Sequence, residues 1–468
     1  MTSVLDIRLD RSAATTLTEQ IRLGILAAIG SGALAPGTRL PSWLALAAQL
    51  GVARGTVKAA YERLADAQVI VSSRPGGTRV ADHPVLAGLP MPPADGDSPP
   101  AAYRHLLAAP GVFQMGVPAS DGFPTRLLAR LRAQTARAEA AAPAVYPDPR
   151  GEVELRREIA AHLALARGLE CRPSQVFVTA GFAGGLALAL QVLGAEGGRA
   201  WMENPGFFQS RRALELARVA PVPVPVDEEG IDVAAGIECA PDAALALVTP
   251  GQQAPLGATL SLRRRTELIA WAARTGAWIV EDDYLGELQL KRRAAPALAS
   301  LDRGGRVIHI GSFSKTISPA LRLGFVVAPA GLGERFAEVA MCLGSAPGPA
   351  VQQAVATFMR EGHYMRHLRR MKRVYAARGD ALQSALERKG YRVQIGGLAA
   401  LLRLPDDVPD AAVAHEARTR GLAPEPLSTW FHPGGTHQSG LLLGIATVNE
   451  ATLPSACTRL HELIGKFA

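Results

Sequence analysis

The 468-residue chain lacks the features that anchor a protein outside a reducing compartment. Its four cysteines, Cys171, Cys239, Cys342 and Cys457, are too widely spaced for a metal-binding pattern or a disulfide framework. No apolar run approaches the roughly 18 residues of a membrane span. The opening MTSVLDIRLDRSAATT has no apolar centre of the kind a secretory signal carries. These absences exclude a metal site and a membrane partner and leave a cytoplasmic protein as the expectation. Strong charge bias is missing too: a net charge of +8 permits an anionic partner without demanding one. What is present is an ordinary globular composition, with length enough for two or three cores.

Residues 1–81 read as a small helical module. Leu17, Ile21, Ile25 and Ile29 recur every fourth position and give one apolar helix face. After the turn at Pro36-Gly37, Ser42 can cap a second helix that carries Leu46 and Leu50 inward. Gly51 ends it, and a third helix over residues 55–67 turns Val57, Tyr61 and Leu64 inward. Two short helices joined by a glycine-containing turn describe a helix-turn-helix. Arg54, Thr56 and Lys58 stand where a recognition helix contacts bases and phosphates. A hairpin follows, tipped by Arg74, Gly76 and Gly77, and it reads as a wing. Nine Lys and Arg against five Asp and Glu make the segment net basic, as a DNA-binding domain requires. A three-helix docking module is the alternative.

Residues 82–111 are rich in proline and alanine without apolar periodicity, and read as an extended linker. Beyond them, apolar strand-like runs alternate with helical ones, the pattern of a doubly wound α/β domain. Strands are expected over 176–179, 199–203, 243–249, 277–281, 307–310 and 324–328. Residues 112–330 form this large domain, and 331–468 a smaller α+β subdomain. Its arginine-dense helix HYMRHLRRMKRVYAARGD reads as a solvated face, with auxiliary DNA contact as the alternative. The stretch 430–435, WFHPGG, reads as a flexible loop at the pocket.

Polar clusters fall beyond the strand ends, where open α/β sheets bind ligands. In VIHIGSFSKTISPALRLG (307–324), a strand delivers Ser312, Ser314, Lys315 and Arg322 to one site. A lysine beside a phosphate-binding set is what a pyridoxal phosphate Schiff base needs; a solvated surface lysine is the alternative. Gly181, Phe182 and Ala183 open a helix and offer backbone N–H groups to a phosphate. The acids Asp282 and Asp283 can pair with a protonated ring nitrogen, and Tyr284 can donate to a ring hydroxyl.

The motifs YPDPRGEVELRREIA, VTAGFAGGL, ENPGFF, TPGQQAPLG, EDDYLGE and GSFSKTISPALRLG make residues 112–468 resemble a fold-type I aminotransferase. Residues 1–81, with LPSWLALAAQLGVARGTVKAAYERL, resemble the winged helix of GntR regulators, and the whole chain resembles their MocR subfamily. The resemblance implies pyridoxal phosphate on Lys315, with Asp282 at the pyridine nitrogen and Asp283 competing for that role. It places Tyr284 at the ring oxygen, and Ser312, Ser314, Arg322, Gly181, Phe182 and Ala183 around the phosphate. Phe207 takes the aromatic position near the ring. Tyr146 is implied to come from the neighbouring subunit, hence a homodimer.

Departures bear on both halves. Trp43 and Leu44 replace the family's usual serine and arginine, Ala53 and Gly55 its serine and asparagine, and the wing is one residue short. Ala254 stands where aminotransferases carry asparagine, with Gln253 the nearest amide. Leu442 stands near the carboxylate-clamping arginine, for which Arg211 or Arg403 are candidate substitutes. The resemblance therefore implies a transcriptional regulator that binds operator DNA and senses a small amine or amino compound through an external aldimine at Lys315. The alternatives are an active aminotransferase with a DNA-binding appendage, or a regulator that senses the cofactor itself.

Overall fold

The computed structural model describes residues 7–13, 15–73, 77–84, 110–290, 294–344 and 346–467. The chain divides into two compact units, Met1–Ala108 and Ala109–Ala468. Most of the expected linker lies outside the described residues, as do Arg74 and Gly76.

In the first unit, α1 (Leu17–Gly30) begins where the Thr16 side chain accepts the Glu19 amide. Ser42 accepts the Ala45 amide and starts α2 (Trp43–Leu50), which the left-handed Gly51 ends. The third helix, α3 (Arg54–Asp66), begins one residue earlier than its sequence suggests. Ile21, Ile25, Ile29, Leu46, Val57, Tyr61 and Leu64 form one core, together with Ile70 and Val80 of the hairpin. That hairpin pairs β1 (Ile70–Ser73) with β2 (Gly77–Val80).

The second unit opens with α4 (Thr125–Ala141), α5 (Val153–Arg167), β3 (Val176–Thr179), α6 (Gly181–Leu193), β4 (Arg199–Asn204) and α7 (Phe208–Leu216). It continues with β5 (Ala220–Asp227), β6 (Gly230–Ile231), α8 (Val233–Cys239), β7 (Leu245–Val248), α9 (Leu262–Thr275), β8 (Trp278–Asp283) and β9 (Val307–Ser312). Then come β10 (Gly324–Val327), α10 (Gly333–Leu343), α11 (Pro349–Arg360) and α12 (His363–Glu387). The chain closes with β11 (Val393–Gly396), β12 (Ala399–Arg403), α13 (Asp410–Thr419), β13 (Glu425–Pro426), β14 (Gly440–Gly444) and α14 (Leu453–Ile464).

The large sheet has the order β3-β10-β9-β8-β7-β4-β5-β6. Strands β9, β8, β7, β4 and β5 run parallel, while β10 is antiparallel to both its neighbours. Every residue of β3, β7 and β10 is buried, as expected of strands covered by helices on both faces. One face packs against α6 and α10, the other in part through the stacked Trp201 and Trp271 rings, 3.8 Å apart. The parallel strands all finish at one edge, and that edge collects the polar clusters.

Strand β5 escapes the sequence pattern because its run APVPVPVD carries three prolines. They alternate at 221, 223 and 225, so their missing N–H groups all fall on one side of the strand. The valines between them keep their N–H groups, and β5 pairs with β4 along six residues. The smaller sheet, β11-β12-β14-β13, is antiparallel and shares its core with α12, α13 and α14.

Candidate functional site

Strand β9 ends at Ser312, and the buried Phe313 anchors the turn that follows. The Ser314 amide donates to Ser312 Oγ at 3.2 Å, and the two hydroxyls meet at 3.0 Å. Lys315 Nζ donates to the Gly116 carbonyl at 2.7 Å. Burial lowers its pKa to about 8, against the opposing attraction of Asp282. Thr316, the next residue, is held from α12: Tyr364 Oη lies 3.1 Å from its hydroxyl and His367 Nε2 2.9 Å from its carbonyl.

Arg322 sits at φ +48°, a left-handed conformation that costs a non-glycine residue about 1 kcal/mol or more. Its guanidinium reaches the Ala180 carbonyl at 3.2 Å, which aims it at the start of α6. No side chain caps that helix, so the amides of Gly181, Phe182 and Ala183 keep their donor capacity. Gly324 permits this approach, since a Cβ there would meet Gly181 Cα at 2.9 Å.

The two acids at the end of β8 point to opposite faces, as neighbours on a strand must. Asp283 is gripped by the buried Arg167 through two hydrogen bonds of 2.8 and 3.1 Å. Asp282 is buried with no hydrogen-bond partner for its Oδ1. Desolvation pushes its pKa well above the usual carboxylate range, and the charges of Asp283 and Glu203 add to the shift. Arg167 thus engages both oxygens of Asp283, whereas Asp282 Oδ1 has no partner among the described residues. Tyr284 packs against the apolar cluster of Ala254, Leu401, Leu427, Trp430 and Leu442. Glu203, raised to about 7 by burial, accepts the Thr249 amide at 3.0 Å and its hydroxyl at 2.5 Å.

Phe207 lies 6.4 Å from Phe182 and 5.7 Å from Trp430, ring to ring. The stretch expected to be a flexible loop is docked onto this wall. The Gly206 amide donates to the Trp430 carbonyl at 2.9 Å, and the His432 amide to Asn204 Oδ1 at 2.8 Å. Gln253, the amide nearest the missing asparagine, is engaged within its own turn and by Pro205. Its amide nitrogen donates to Pro205 and Ala254 carbonyls, and its oxygen accepts the Leu256 amide. Leu442 is fully buried, Arg211 donates to the Phe431 carbonyl, and Arg403 pairs with Gln438 on the exposed end of β12. Tyr146 is 100% exposed.

Several residues of this region were invisible in the sequence. Arg167 braces β8, and the buried His309 shares a 2.9 Å contact with Glu281 behind it. Glu287 bridges His162 and Tyr364, each at 2.5 Å. Their partners lie 28 to 125 residues away, and only the run EDDYLGE hints at a buried acid network.

The described donors match the needs of a phosphorylated pyridine aldehyde. Hydroxyls, a guanidinium and free helix amides suit its phosphate, and a desolvated, unpartnered carboxylate oxygen suits its cationic ring nitrogen. A lysine with a lowered pKa suits its aldehyde.

In the first unit, Arg54 and Lys58 are exposed at the start of α3 and Thr56 is half-buried. Lys58 meets Glu62 at 3.6 Å, a surface pair worth little. Ala53 supplies no side-chain cap to α3. Arg39, unremarked in the sequence, lies against the hairpin: a Cβ on Gly77, at φ +75°, would meet its Nε at 3.1 Å.

The model of the family "Aminotransferase class I and II" matches residues 115–459, and that of "Bacterial regulatory proteins, gntR family" residues 17–80. The chain is similar to the probable rhizopine catabolism regulatory protein MocR of Rhizobium meliloti. They are 33% identical over 97% of this chain and 95% of that one. It is also similar to the pyridoxine biosynthesis transcriptional regulator PdxR of Corynebacterium glutamicum, at 34% over 97% and 96%. Among solved structures, the α-aminoadipate aminotransferase LysN of Thermus thermophilus, complexed with N-(5'-phosphopyridoxyl)-L-leucine, matches with a TM-score of 0.71. It is 27% identical and covers 79% of this chain and 95% of its own.

Proposed function

The chain belongs to the MocR subfamily of GntR-family transcriptional regulators, and on that premise we propose that its aminotransferase-like domain senses a small amine or amino compound at Lys315. The observation that carries this reading is Asp282, a buried acid whose Oδ1 no group among the described residues satisfies. Such an atom is costly unless a ligand pairs with it. Asp282 would face the ring nitrogen of pyridoxal phosphate, and Tyr284 its ring oxygen. Ser312, Ser314, Arg322 and the first amides of α6 would hold the phosphate. Bound there, pyridoxal phosphate supplies an aldehyde that takes up primary amines and a ring whose absorbance reports the exchange.

Lys315, with its pKa lowered to about 8, keeps part of its amine uncharged near neutral pH and can yield to an incoming amine. Leu442 and its apolar neighbours offer no guanidinium to a substrate carboxylate. This supports sensing over amino-acid turnover. The exposed Tyr146 supports a homodimer in which this residue reaches the neighbouring subunit. Two winged helices would then address two operator half-sites through Arg54, Thr56, Lys58 and the wing. Thr316, tied to Tyr364 and His367, gives the Lys315 turn a direct connection to α12.

The purified protein should absorb in the visible, and Lys315→Ala should lose that band while operator binding survives. Identical spectra of the two proteins would sink the reading. Amines are then screened for a spectral change that also alters operator affinity. Steady release of keto product from common amino donors would instead establish a working aminotransferase.

A further inference from the structure

We propose that a cavity on α12, none of whose lining residues belongs to the Lys315 site, binds a small oxyanion, a carboxylate or a phosphate. The helix sorts its arginine-dense sequence by its 3.6-residue period. Tyr364, His367, Leu368, Met371 and Tyr375 are buried, while Arg366, Arg369, Arg370 and Arg373 face outward. Arg366 is occupied by the Glu361 carbonyl at 2.9 Å and His363 Nδ1 at 2.8 Å. Arg370 and Arg373, one turn apart, have no ion-pair partner among the described residues.

These two arginines join Arg378 in lining a cavity of about 530 Å³, opposite Asp121, Asn449 and Glu450. Arg378 is its fixed wall. Its Nη1 donates to the Ala446 carbonyl at 2.8 Å and its Nη2 to Asp121, so the Asp121 charge is already matched. Arg370 and Arg373 are left facing a single carboxylate, Glu450, and the lining carries an excess of one positive charge.

A solvated helix face spreads its arginines over a convex surface. Here two unengaged guanidinium groups share a concavity of small-ligand size with an amide donor, Asn449. Guanidinium forks match the paired oxygens of carboxylate and phosphate. With Arg378 spent on Asp121 and Glu450 in the same lining, the net excess of one positive charge suits a compact anion better than a continuous phosphate backbone. The observations therefore favour a small ligand over DNA.

The test is calorimetric titration of inorganic phosphate, and separately of succinate, into the full-length chain loaded with pyridoxal phosphate and then freed of unbound cofactor by gel filtration. The bound cofactor keeps phosphate from competing for the Ser312–Arg322 group. At least one anion should bind saturably, and the double change Arg370→Gln/Arg373→Gln should weaken it about tenfold. Both side chains are exposed, and an unchanged visible spectrum checks the fold. Glu450→Gln, which leaves every arginine in place, should tighten binding. Absence of saturable binding would overturn the proposal, as would affinity that the double variant retains or that Glu450→Gln weakens. An effect of the double variant on operator affinity alone, with a shallower salt dependence, would also overturn it and assign the arginines to DNA.

Discussion

The end of β8 and the start of α3 both leave polar atoms without a protein partner, and they are built very differently. At β8 the atom is Asp282 Oδ1, deep in the second unit. Around it stand Arg167 on Asp283, Glu281 on His309, and Glu287 between His162 and Tyr364. At α3 the groups are the Arg54 and Gly55 amides, at the exposed start of a helix that the Ala53 side chain does not cap, and behind them is ordinary apolar packing by Val57, Ala60, Tyr61 and Leu64. Water satisfies the second set at almost no cost, whereas burial strips the first of most of its solvent. Burial thus decides how much structure must hold a binding group in place.

The sharpest way to break that contrast is to remove the brace. Arg167→Met would leave the buried Asp283 carboxylate with only His309 Nε2, 3.8 Å away, as a partner, and breaking a buried pair costs about 3–5 kcal/mol. Urea unfolding of the second unit should show a loss of that size, and adding Asp283→Asn should recover most of it. A loss no larger than that of a surface substitution would mean the ion pair braces nothing.

Asp282→Asn separates holding from binding. With no hydrogen bond to Oδ1 to lose, the cofactor-free protein should be as stable as the parent or slightly more so. Affinity for pyridoxal phosphate should fall by about 2 kcal/mol, the value of a hydrogen bond to a charged group. Equilibrium dialysis and thermal unfolding on the same sample read the two effects. If Asp283→Asn weakened the cofactor more than Asp282→Asn, the assignment of the two acids would be reversed.

The pH dependence of Lys315 tests burial directly. Its pKa is lowered from 10.5 to about 8, so between those values the unfolded chain holds a proton that the folded chain has released. The cofactor-free protein should therefore gain stability as pH rises through that window, and Lys315→Ala should lose the gain. The rate of colour development with pyridoxal phosphate should fall about tenfold per pH unit below about 8, because the free amine is the reactant. A rate still rising at pH 10 would place the lysine in water.

The contrast also explains what the sequence could disclose. The six expected strands, to within about two residues at each end, the Ser312–Lys315 turn and the three N-terminal helices were legible because local periodicity and cap residues encode them; β8 and β9 run on to Asp283 and Ser312, two residues past their expected ends. The pairing that engages Asp283 and not Asp282 was hidden, since it comes from Arg167, 116 residues away. The docking of residues 430–435 was equally hidden, because its partners are the Gly206 amide and the Asn204 side chain. Strand β5 was concealed by prolines whose lost donors matter only once its edge is known. Local signals place groups at an edge of the sheet; the long-range pairs that select among them have no mark in the neighbouring residues.

The smallest expected effect lies at the exposed end. Ala53→Ser would give α3 the side-chain acceptor it lacks, bonding to the amide of the second or third residue as Ser42 does for α2. The gain should be about 1 kcal/mol. Amide hydrogen exchange on the full chain should show it as about fivefold greater protection at Gly55 or Thr56, with α6 unchanged. A gain of several kcal/mol would mean that the start of α3 is desolvated, and the two regions would then differ less than their burial implies.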